Sequence, residues 1–198
     1  KFANAFAGTI GDIGVYSFNG NKIITTGGGG MIVSNNEQYL TQLKYLSTQA
    51  KDDVIYFVHN DIGYNYRMTN IQAAIGLAQL EQLECFIEMK RKNYEQYLKE
   101  HIELLGFRHN IRSNKWFYSY ISEDRDGLIR YLSEQKIQTR PVWKLIHTQL
   151  PYRKSYGYKI ERAQLYYDKI VNLPCSTNLA AEDVTKVADL IRVYEKGK

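Results

Sequence analysis

The sequence predicts an α/β chain in two parts, 1–100 and 101–198. Three observations predict it. Short β-type runs alternate with helical patterns along the whole chain. Two capping boxes, Ser34 with Glu37 and Thr69 with Gln72, mark helix starts in the first part. A helical pattern that begins near Thr69 and persists to about Leu98 is long for a globular helix and suits a connection between domains.

Each element follows in order. Residues 1–12 carry Gly8 and Gly11 and read as a loop, and residues 13–18 read as a strand after Asp12. A turn with Lys22 and four glycines, Gly27 to Gly30, leads into a second strand over 30–33. Ser34 and Glu37 then start a helix with Tyr39, Leu40, Leu43 and Leu46 at helical spacing, ending near Gln49. Residues 50–68 are mixed and aromatic, as a loop over a surface or interface would be. The helix from Thr69 has Ile71, Ala74, Ile75, Leu80, Leu83 and Ile87 as its apolar stripe. Its small residues Ala73, Ala74, Gly76 and Ala78 permit close backbone approach.

The second part reads as a small α+β domain. Strands are expected over 116–121 and over 137–142, the latter ending at Pro141. Helices are expected over 128–135 and 160–169, and residues 173–175 read as a turn. Asn178 is placed to cap a last helix with Val184, Val187, Ala188 and Ile191.

Composition bounds the function. A chain of 198 residues with an ordinary apolar share can bury a core and is not globally disordered. The net charge of +5 is spread out, and its one cluster, Lys90-Arg91-Lys92, falls on a helical pattern as a solvated face. That argues against nucleic acid and leaves room for anionic ligands. Cys85 and Cys175 lack any C-x-x-C spacing and fit free thiols in a reducing cytoplasm. His59, His101 and His109 show no ligand spacing, so no metal is expected. No run approaches the roughly 20 apolar residues of a membrane helix.

The chemistry centres on Ser17-Phe18-Asn19-Gly20-Asn21-Lys22-Ile23-Ile24-Thr25-Thr26-Gly27-Gly28-Gly29-Gly30. A partly desolvated lysine in a glycine-lined turn is a usable nucleophile toward a carbonyl. Ser17 offers a hydroxyl that could hold a phosphate. Read alone, the segment also fits a surface Lys in a glycine-rich hairpin, and it contains no Walker order. Two other stretches stand out: Asp61-Ile62-Gly63-Tyr64-Asn65-Tyr66-Arg67-Met68 and Arg140-Pro141-Val142-Trp143-Lys144.

These three stretches, in this order, resemble the DegT/DnrJ/EryC1/StrS family of sugar aminotransferases. The resemblance implies the pyridoxal 5′-phosphate (PLP) dependent transferase fold type I. Here it implies the later part of the large domain followed by the small C-terminal domain. In the family, the Lys matching Lys22 binds PLP covalently and moves the proton as base and acid. A near relative with His at this position dehydrates instead, so Lys22 favours amino transfer. The residue matching Ser17 bonds the cofactor phosphate, and that matching Asn65 reaches the phosphate in the neighbouring subunit. Arg67 and His147 are placed by the resemblance near substrate, although Leu145 replaces a second Pro before His147. Without the resemblance, Asn65 and Arg67 also fit a capping loop, His147 a structural role, and Trp143 either ring contact or domain packing.

The resemblance thus implies a cytoplasmic homodimer with shared active sites. It would transfer an amino group from L-glutamate to a nucleotide-linked 4-keto-6-deoxy sugar for surface glycans. The wording is most similar to enzymes of the UDP-4-amino-sugar type, including those toward bacillosamine and legionaminic acid. Members of the family are roughly twice as long, and Lys1 corresponds to a point midway along them. The carboxylate for the pyridinium nitrogen and the ring-stacking aromatic are therefore expected upstream, and Asp12 is not assigned that role. Two other classes remain: a truncated, non-catalytic dimerisation module, and a phosphate-binding α/β protein that uses the glycine turn alone.

Overall fold

The computed structural model describes residues 1–197. By internal contacts the chain forms two compact units: Lys1–Phe86 with Arg108–Ser113, and Ile87–Phe107 with the chain from Asn114 onward.

In the first unit, β1 (Gly14–Ser17) and β2 (Gly30–Val33) pair antiparallel, with Ser17 opposite Gly30 and Gly14 opposite Val33. Helix α1 (Glu37–Ser47) follows. Its cap is Asn36, whose side chain accepts from the Gln38 N–H at 2.9 Å, and not the expected Ser34–Glu37 box. Ser34 is engaged elsewhere: its hydroxyl donates to the Asp12 carbonyl and accepts from the Asn36 N–H. Part of the expected 50–68 loop is a small hairpin, β3 (Lys51–Asp53) with β4 (Val58–His59).

Helix α2 (Asn70–Glu81) starts at the expected box. Thr69 Oγ1 accepts from the Gln72 N–H at 3.3 Å, and Gln72 Oε1 accepts from the Thr69 N–H at 3.1 Å. Thr69→Ala should cost about 1 kcal/mol, read as a lower urea midpoint at constant slope. An unmoved midpoint would show that the box adds nothing.

The single long helix expected from Thr69 is in fact two. Gln82, at φ −101° and ψ 0°, separates α2 from α3 (Leu83–Lys99). Those dihedrals lie in the sparsely allowed bridge region and interrupt the helical path. The apolar stripe of α2 also departs from expectation, because α2 has no buried residue and Ile71 is 75% exposed. Among the described residues, Ala50 is the one buried apolar side chain of the first unit.

The second unit holds the core. Three antiparallel strands run in the order β5 (Tyr118–Ile121), β7 (Ile170–Leu173), β6 (Arg140–Pro141). The central strand β7 is buried throughout, although its last residue was expected in a turn. The run Ile170-Val171-Asn172-Leu173 is short, shows no alternation and is broken by a polar residue, so directly after a helix it carries little strand signal. In the fold Asn172 is buried, and its Oδ1 accepts from the Ser119 hydroxyl at 2.9 Å. Only Arg140 and Pro141 of the expected 137–142 strand pair with β7. Proline donates no ladder bond and is tolerated at this edge.

Helices α4 (Arg125–Glu134), α5 (Glu161–Lys169) and α6 (Ala181–Lys196) complete the unit. Asp124 caps α4 by accepting from the Gly127 N–H at 3.0 Å, and it also accepts from the Tyr194 hydroxyl at 2.7 Å. The start of α6 is held by the Asp183 carboxylate, which accepts from the Ala180 N–H, and not by Asn178. Tyr97, Tyr118, Leu128, Leu132, Val171, Leu173, Val184 and Ile191 form the centre of the core. Lys90, expected on a solvated face, is instead buried beside it, donating through Nζ to the Cys175 carbonyl, and burial holds its pKa below the usual lysine value.

Candidate active site

Strand β1 ends at Ser17, and the chain loops out before returning as β2. Phe18 ties the loop at both ends. Its N–H donates to the Gly29 carbonyl at 3.0 Å, and its carbonyl accepts from the Thr26 N–H at 3.0 Å and the Thr25 hydroxyl at 2.9 Å. The return needs glycine: Gly27 and Gly29 have φ of +78° and +85°, where a side chain would be strained. Thr26 is buried, and its hydroxyl donates to the Gly28 carbonyl.

Lys22 lies within this loop and is half-buried. Its N–H donates to the Asn19 carbonyl at 3.0 Å, forming a tight turn, and Asn19 Nδ2 donates to Asn21 Oδ1 at 3.3 Å. Ser17 is exposed, and its Oγ accepts from the Asn19 N–H at 3.3 Å. That bond uses an oxygen lone pair and leaves the O–H to donate.

Helix α2 supports the loop from one side. Gln79 Oε1 accepts from the Thr25 N–H at 3.4 Å. A Cβ on Gly76 would stand 2.9 Å from Thr26 Cγ2, so glycine there permits the close approach. Sequence reasoning missed Gln79 and Thr26 as supports. The small residues of α2 announced close packing, but nothing local named its partner.

Asn65 and Arg67 stand together on another segment of the same unit. The stretch 64–66 is stitched to the end of α1: Tyr64 N–H donates to Leu46 O and Tyr66 N–H to Ser47 O, each at 3.0 Å. Asn65 bridges to Thr48, and its Oδ1 accepts from the Arg67 N–H at 3.4 Å. Both side chains are exposed, flanked by the stacked rings of Tyr64 and Tyr66 at 5.3 Å.

His147 belongs to the second unit, half-buried in a single 3-10 turn, Ile146–Thr148. Trp143, also in that unit, is 65% exposed and therefore not part of its core. Among the described residues, no cluster of His, Cys, Asp or Glu is arranged to hold a metal, and no helix is long and apolar enough to cross a membrane.

An amine and a hydroxyl on one closed loop suit a ligand that carries both a carbonyl and a phosphate. Residues 1–192 match the model of the DegT/DnrJ/EryC1/StrS aminotransferase family. The chain belongs to this family. It is 37% identical to the GDP-perosamine synthase of Escherichia coli O157:H7, covering 100% of this chain and 56% of that one. It is 34% identical to the putative pyridoxal phosphate-dependent aminotransferase EpsN of Bacillus subtilis, covering 93% and 51%. Among solved structures, the aminotransferase TlmJ from Streptoalloteichus hindustanus superposes with a TM-score of 0.91 at 22% identity, covering 100% of this chain and 56% of TlmJ. The fold is that of the type I PLP-dependent transferases. The chain spans about half the length of the relatives it matches.

Proposed function

We propose that this chain carries the lysine segment of a PLP-dependent aminotransferase that acts on a nucleotide-linked 4-keto-6-deoxy sugar. The observation that carries the reading is the closed Ser17–Gly30 loop, which holds Lys22 half-buried a few residues from the Ser17 hydroxyl. The donor set fits the cofactor: a primary amine for an aldehyde, and an O–H left to donate to a phosphate oxygen. When bound, PLP supplies that aldehyde and a conjugated ring that takes up electron density.

Lys22 would hold the cofactor through Nζ. The same amine, once released, would take up and return the proton that amino exchange moves. Ser17 would orient the phosphate end, with Asn65 acting on the cofactor phosphate of a second subunit. Arg67 and His147 would meet the anionic substrate. L-Glutamate is the proposed donor, and a homodimer with shared sites the proposed assembly.

The nucleotide has two supports. The relative named for GDP-perosamine favours guanine, and the wording of the Asn19–Lys22 and Arg140–Lys144 stretches favours uridine. The deciding experiment is glutamate-dependent amination of GDP- and UDP-linked 4-keto-6-deoxy sugars by the native protein. Product from either supports the reading, and product from neither contradicts it.

A further inference from the structure

We propose that Trp143 is the stacking platform for the base of the bound nucleotide, an assignment that rests on the nucleotide-sugar reading above. Three aromatic rings meet in the second unit. Trp143 lies 5.9 Å from Trp116 and 5.4 Å from Phe117 between ring centroids, and Trp116 and Phe117 lie 4.3 Å apart. Phe117 meets Trp143 edge-on, at 71°. Trp116 and Phe117 are themselves half-buried, so Trp143 is braced on one side and open on the other.

An exposed indole has two explanations: a covering protein surface or a planar ligand. The flanking charges favour the ligand. Arg140 and Lys144 are both exposed, in the same five-residue stretch as Trp143. Covering that stretch with an apolar surface would desolvate two cations without partners, which is costly. A nucleoside diphosphate satisfies both parts, since its base stacks on the indole and its phosphates complement the cations. Every base has a π-face, so the platform accepts guanine or uracil and contributes affinity more than choice between them.

The test uses the protein without cofactor or amino donor. Calorimetric titration with UDP, GDP and pyrophosphate gives the affinities. Tryptophan emission gives a second readout, because the chain's two tryptophans, Trp116 and Trp143, both lie in this cluster. Both nucleotides should bind and quench. Trp143→Leu should weaken them about tenfold, and Trp143→Phe should recover most of that loss. Pyrophosphate, which has no base, should bind all three chains alike. The assignment is overturned if Trp143→Leu binds nucleotides as the unmodified chain does. It is equally overturned if neither nucleotide binds, or if pyrophosphate weakens in parallel.

The two readings fail separately. Turnover with a KM that Trp143→Leu leaves unchanged ends the stacking role and keeps the aminotransferase. Trp143-dependent nucleotide affinity without turnover of either sugar does the reverse.

Discussion

In the full-length protein, Lys22→Ala should abolish the proposed amino transfer while leaving the fold intact. Lys22 is half-buried in a loop closed by backbone bonds at Phe18, Thr26 and Gly29, none of which involves its side chain. Removing the amine takes away the chemistry and leaves those backbone bonds in place. Alanine can neither bind an aldehyde nor carry a proton. The expected result is no measurable glutamate-dependent turnover, with circular dichroism and the urea midpoint close to those of the unmodified protein. Turnover within a few-fold of the original would remove Lys22 from the mechanism.

Leu128→Ala should have the largest effect on stability. Leu128 is fully buried on the first turn of α4 and packs in one cluster with Val184, Val187 and Ala188 of α6 and Val171 of β7. Truncation loses the transfer energy of the removed carbons and leaves a cavity at a helix–sheet junction. Such substitutions cost about 2–5 kcal/mol, against a total of about 5–15 kcal/mol for a typical domain. Denaturant unfolding followed by tyrosine and tryptophan signals measures the loss. A change below about 1 kcal/mol would mean that this site collapses around the cavity and is not the rigid centre described.

Where a feature depended on residues close in sequence, it was legible. The Thr69–Gln72 box reads directly because both partners lie within one turn. The loop that holds Lys22 is marked by its glycines, two of which take positive φ. Features decided by tertiary partners were not legible. Ser34 matches the capping pattern, yet its hydroxyl is drawn to Asp12 and Asn36 takes the cap. The break at Gln82 leaves no glycine or proline to announce it, since the helical pattern continues on both sides. The stripe of α2 announced burial, but periodicity names a face and not the surface that covers it. For the candidate site, sequence order placed Ser17 and Lys22 on one turn, whereas the support from Gln79 spans 54 residues and needed the fold. For Trp143 the sequence left ring contact and domain packing both open, and its exposure beside Trp116 and Phe117 favours the first.

The central claim is that Lys22 is the residue that binds PLP. The protein is incubated with PLP, reduced with borohydride, digested, and its peptides are mapped by mass spectrometry. One dominant pyridoxyl mark on Lys22, absent from Lys22→Ala, is the predicted result. A mark on another lysine, or equal labelling across many exposed lysines, would contradict it.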